Sequence, residues 1–149
     1  MSFIATWPTD FEKDVVDSIR EAIGREITLY VVASSVPCPD CSLDEVNNTS
    51  TDSFCSTCSG DYWINTYSGV PISGHVTWGY SEQLGWVSGG QLDEGECRIQ
   101  IAFSEDNLST VNNAIWVEVD GKVMQIVKRI LRGVKNINRI LIDLIEKED

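Results

Sequence analysis

Histidine and positive charge are scarce in this chain: one histidine in 149 residues, and 11 Lys+Arg against 23 Asp+Glu. The lone histidine, His75, has no serine or cysteine nucleophile pattern near it, so it reads as structural rather than catalytic. A net charge of −12 repels phosphates and disfavours ordinary DNA binding; its plainest role is solubility. Long apolar runs are missing too. Nothing approaches the roughly 18 uncharged residues of a membrane span. The opening stretch "MSFIATWPTDFEKD" lacks the basic and apolar regions of a secretory signal, so folding in a reducing cytoplasm is expected. P-loop, GxGxxG, GxSxG and HExxH motifs are all absent, and carboxylates such as Glu94 and Glu96 follow no catalytic pattern, so no enzyme is expected. Without secretion, the sequons at Asn47 and Asn107 are chance matches.

Forty-two per cent hydrophobic residues and five tryptophans can build a sizeable core, and the length suits one domain, 1–149. The charge is unevenly placed. Residues 1–121 carry 4 Lys+Arg and 19 Asp+Glu, net −15, whereas residues 122–149 carry 7 and 4, net +3.

Thr9 and Glu12 fit a capping box, and Phe11, Val15, Ile19, Ala22 and Ile23 recur at helical spacing up to Gly24, which predicts an amphipathic helix over about 11–23. Residues 26–33, "EITLYVVA", read as a strand. Residues 61–80 are aromatic and β-branched but cut by Gly69, Pro71, Gly74 and Gly79, which suggests short strands and turns. Residues 81–96 read as a long polar loop. "CRIQIAF" (97–103) alternates, with Cys97, Ile99, Ile101 and Phe103 on one face and Cys97 a buried small hydrophobe. In 114–127, Asp120-Gly121 between apolar runs signals a hairpin. Segments 123–131 and 137–145 fit both helical and strand spacing; the hairpin and the alternation of Asn138, Ile140, Ile142 and Leu144 favour strand.

Four of the five cysteines fall in residues 34–63 as Cys38-x2-Cys41-x13-Cys55-x2-Cys58. Each CxxC turn aims two sulfurs at one point, and two facing knuckles complete a closed tetrahedral thiolate site, the pattern of one structural zinc per chain. Pro37 and Pro39 stiffen the first knuckle, and Gly60 supplies a permissive backbone after the second. A thioredoxin-like redox site would leave one pair surplus, and paired disulfides would need an oxidising compartment. A closed site does no chemistry. It replaces the core that "SLDEVNNTSTDSF" cannot build, with metal supplying folding free energy on the order of 10 kcal/mol. That linker has no basic or aromatic reading face, so the segment looks like a stapled protrusion, not a nucleic-acid finger.

Lys128, Arg129, Arg132, Lys135 and Arg139 form a basic cluster in an otherwise acidic chain. It is either a solvated rim or a docking surface for an acidic partner, such as the acidic part of a neighbouring copy.

Residues 85–145 contain a glycine-led loop, then "EGECRIQIAF", then "NNAIWVEVDGKVMQIVKRI" with its Val119-Asp120-Gly121-Lys122 turn, and a closing apolar strand after "RGVKNINR". This region resembles the C-terminal half of small head-tail connector proteins of tailed bacteriophages, of the head-completion or stopper type. The resemblance implies a small β-barrel with a peripheral helix, a mainly β (α+β) fold; the four-cysteine knuckle 34–63 departs from the family's pattern and reads as an insertion between early strands. The resemblance also implies a virion protein of the neck, assembled in the host cytoplasm as a ring of copies between portal or adaptor and tail proteins. It carries no catalytic residues. An acidic ring would let DNA pass without sticking. Two other readings compete: a zinc-ribbon protein-interaction module of a cellular or viral regulatory complex, and a redox or metal-handling enzyme.

Overall fold

The computed structural model describes residues 11–79, 86–87, 90–91, 96–133 and 136–147. The chain opens with helix α1 (Phe11–Ile23), followed by β1 (Arg25–Pro37), the short pair β2 (Leu43–Asp44) and β3 (Thr49–Ser50), and the long β4 (Trp63–Trp78). After these come the two-residue strands β5 (Trp86–Val87) and β6 (Gly90–Gln91), then β7 (Glu96–Ala102), helix α2 (Glu105–Asn113), β8 (Ala114–Val119), β9 (Lys122–Arg132) and β10 (Arg139–Glu146). Six of these strands close into an antiparallel barrel in the order β1-β4-β7-β10-β9-β8, with β8 pairing back onto β1. Closure removes the strand edges that an open sheet would expose.

Alternation builds the interior. Ile27 and Leu29 of β1, Cys97, Ile99 and Ile101 of β7, Ile140, Ile142 and Leu144 of β10, Val117 and Val119 of β8, and Met124 of β9 form one buried cluster. Both segments of mixed periodicity are strands, because each pairs along its length with β10 or with β7 and β9. Asp120 and Gly121 take φ of 52° and 78°, the left-handed pair that a two-residue hairpin turn demands. The turn is tied down: Asp120 accepts from Arg25 at 2.8 Å and from the Trp78 indole at 2.9 Å.

The opposite end of the barrel is plugged by α2, an element not foreseen in the sequence. Ser104 caps it, its hydroxyl accepting the Asn107 amide at 3.0 Å, and Glu105 and Asp106 sit in its positive first turn. Val111 is buried in the barrel core with Leu108 packed beside it.

Residues 61–80 are not a series of short strands. One 16-residue strand, β4, runs through Gly69, Pro71 and Gly74. Pro71 pairs with Thr28 of β1, and β7 joins β4 only from Gly74 onward, so the proline lies where β4 is an edge and a missing donor is tolerated. Gly69 stands opposite Tyr30, and a Cβ there would lie 2.7 Å from Thr28 Cγ2 and 3.4 Å from the Tyr30 ring. Glycine makes room for the Thr28 methyl, next to the Tyr30 ring that stacks on Trp116.

Helix α1 matches its expected span, but its apolar stripe faces outward. Val15, Ile19 and Ile23 are 42%, 48% and 55% exposed, while Arg20 is buried, paired to Asp17 and close to β4. The expected Thr9 cap and most of the 81–96 loop lie outside the described residues.

Candidate metal centre

Beyond Val31, β1 has no β8 neighbour, and before Gly74, β4 has no β7 neighbour. The two strands still pair with each other out to Pro37 and Trp63, with a register shift between Val32 and Ser34. From Val32 to Pro37 the ribbon reaches on the order of 20 Å past the barrel, at ~3.3 Å per residue. Its tip is the cysteine segment.

At that tip all four knuckle sulfurs lie within 4.8 Å of one another. Cys38 and Cys55 Sγ are 3.8 Å apart and Cys41 and Cys58 Sγ 3.5 Å. Four sulfurs held ~2.3 Å from one tetrahedral ion sit about 3.8 Å apart, so the cluster can hold a metal ion. Disulfide-bonded sulfurs would sit ~2.05 Å apart, and all four cysteines are free. Cys38, Cys55 and Cys58 are buried at 4%, 7% and 8% exposure, and Tyr62 and Ile64 pack against them. This small cluster is separate from the barrel core.

Local hydrogen bonds shape the two knuckles. The Cys38 amide donates to the Tyr62 carbonyl at 2.8 Å, closing the tip onto the ribbon, and Ser59 N donates to Cys55 O at 2.8 Å. Gly60 adopts φ +93°, and a Cβ there would lie 2.9 Å from the Ser53 carbonyl oxygen, so the second knuckle requires glycine. Between the knuckles, β2 and β3 pair through Leu43–Ser50 and Asp44–Thr49. Asp44 accepts the Val46 amide and Asp52 that of Phe54, making two Asx turns. Thr57 donates to Asp40 and ties one knuckle to the other.

The sulfurs are electrostatically unequal. Burial works to raise the Cys58 thiol, but the backbone N–H groups of Tyr62 and Gly60, with the Cys41 and Cys55 sulfurs, bring it down to about 7. At Cys41 the Ser50 hydroxyl favours the thiolate, yet burial and the three neighbouring sulfurs outweigh it and push the thiol up to about 12. Amides aimed at sulfur are the surroundings that support a bound thiolate. Cys97, in the barrel, is pushed up to about 12, chiefly by burial.

The basic cluster divides. Lys128, Ile130 and Arg132 alternate onto one face of β9, and their partners on β10 are Asp143, Leu141 and Arg139. Lys128, Arg132 and Arg139 therefore share the outer face of this pair of strands, beside the two-pronged Arg98–Asp143 ion pair. Arg129 points the other way and donates to the Val111 and Ala114 carbonyls. Lys135 lies outside the described residues. His75 sits on β4 opposite Gln100, half-buried. Its pKa is lowered by burial and then by Arg25 and Arg20. A comparison with known protein families and with curated proteins finds no match to this chain.

Proposed function

We propose that this chain is a non-enzymatic structural protein of the tailed-phage neck, where copies assemble as a ring between portal or adaptor and tail proteins. A structural zinc ion would brace the projecting arm, and DNA would meet the ring only in passage. The observation that carries the reading is the exposed apolar stripe of α1, Val15, Ile19 and Ile23, a face suited to being covered by another subunit. The connector-like region 85–145 supports it as well, since its described part supplies four of the six barrel strands, β7, β8, β9 and β10. The excess of 23 acidic over 11 basic residues suits a channel that phosphates must traverse without binding.

Zinc is the ion of choice because four thiolates gathered within 4.8 Å of one another, three of them buried, suit a borderline-soft, redox-inert cation in a closed tetrahedral site. The cysteines hold it and the fold of the tip depends on it; no chemical step is assigned to it.

The test is co-expression of the chain with the portal and tail proteins encoded beside it, followed by cryo-electron microscopy. A ring of copies at the portal–tail junction is the expected result. A protein that stays monomeric and joins neither neighbour would overturn the proposal. Stable capture of a cellular regulatory protein by the knuckle instead would favour the interaction-module reading, for which Val46 and Phe54, 90% and 95% exposed on the tip, speak.

A further inference from the structure

The strand order sets two oppositely charged features across the barrel from each other. The arm grows from β1 and β4, and the basic face belongs to β10 and β9, half the circumference away in a barrel ordered β1-β4-β7-β10-β9-β8. Both lie toward the end plugged by α2, because β8 begins at Ala114 opposite Val31, and β9 ends at Arg132 opposite Arg139. No Lys or Arg occurs between Arg25 and Arg98, while Asp40, Asp44, Glu45, Asp52 and Asp61 fall within the arm. Four thiolates around a divalent ion would add two further negative charges.

We propose that the metal-tipped arm of one copy docks on the exposed outer face of β9 in a second copy, the β10 side of that face being covered within the chain, where Leu141 is 1% and Arg98 5% exposed. This deepens the ring reading above and rests on it. The acids of the tip meet Lys128 and Arg132, both exposed on β9. Val46 and Phe54, almost wholly exposed, bury against β9, where the bulge opposite Asp143 and Leu144 pushes out Val127, itself 58% exposed. Arm and receptor are different surfaces on opposite sides of the subunit, so the contact is heterologous and propagates from copy to copy until it closes. Complementary charge sets the register and the partner, and apolar burial at the tip supplies the holding energy.

The test uses the full-length zinc-loaded protein in sedimentation velocity, with circular dichroism and metal content as folding controls. Glu45→Lys with Asp61→Lys reverses the arm; these two are chosen because Asp40, Asp44 and Asp52 hold turns. Lys128→Glu with Arg132→Glu reverses the face. Each pair should weaken self-association at least ~tenfold, about 1.4 kcal/mol. A mixture of the two variants should co-assemble, since a basic arm then meets an acidic face and the unaltered arm meets the unaltered face. If wild type assembles and either folded variant assembles equally well, the docking proposal falls and the ring reading stands. If both variants are weakened yet their mixture stays monomeric, the pairing of these two surfaces is wrong. A wild type that remains monomeric at every concentration and salt overturns both.

Discussion

Arg129 donates from Nε to the Val111 carbonyl at 3.0 Å, and its second donor, Nη2, reaches the Ala114 carbonyl at 3.2 Å. The last carbonyls of a helix have no partner within it and carry its negative end, so a cation that bonds them satisfies two needs at once. Arg129 thereby holds α2 in the mouth of the barrel. Arg129→Ala should cost about 1–3 kcal/mol in urea unfolding, whereas Arg132→Ala, on the exposed face, should change stability by less than ~0.5 kcal/mol. Equal losses at the two positions would mean that α2 does not depend on this contact.

Because the knuckle and the barrel have separate cores, metal loss should be felt locally. Purification under reducing conditions should yield about one zinc per chain by elemental analysis. Cys38→Ser or Cys58→Ser should abolish that zinc and expose the amides of 38–62 to rapid hydrogen exchange, with β7 and β10 staying protected. Collapse of the whole barrel on metal loss would show that the arm and the barrel fold as one unit.

Cys97 is fully buried among the barrel side chains and its thiol is pushed up to about 12. Cys41 is pushed equally high, so access decides the contrast: the barrel that encloses Cys97 has its own core and stays folded, whereas the tip opens once its metal is removed. After chelation, iodoacetamide should label Cys38, Cys41, Cys55 and Cys58 within minutes and leave Cys97 unmodified until denaturant unfolds the barrel. Mass spectrometry of the labelled peptides reads the difference.

His75 contributes a pH dependence of definite sign. Its folded pKa lies below the ordinary 6.5, so the unfolded chain takes up the proton first as pH falls. The associated stability is present above about pH 6.5 and is lost below it, down to the folded pKa. Asp17, lowered by Lys13 and Arg20 against the opposing effect of burial, adds a second loss only on further acidification. His75→Gln should flatten the stability profile between roughly pH 7 and 5, measured by denaturant midpoint. An unchanged slope would show that His75 titrates alike in both states.

Local signals were enough wherever one residue's chemistry decides its surroundings. The cysteine spacing announced the sulfur cluster, because two CxxC turns have few other uses. Asp120-Gly121 announced its hairpin, because few dipeptides accept two left-handed residues, and the alternation of Cys97, Ile99 and Ile101 marked a strand with one buried face. The sequence by itself thus determined a mainly β chain with a leading helix and a four-sulfur centre. Other features depend on partners far away in the chain. Gly69 and Pro71 read as breaks until β1 is beside them, supplying the Thr28 methyl that takes the place of a side chain at 69, while β4 is still an edge where a proline fits. Helix α2 has too few apolar residues to show a stripe, since Val111 and Leu108 need only plug a barrel mouth. Arg129 looks like its neighbours Lys128 and Arg132 until strand pairing turns it inward to α2. Only tertiary structure decided these, because strand register, barrel closure and the destination of a long cationic side chain are set by pairings between residues tens of positions apart, which leave no local trace.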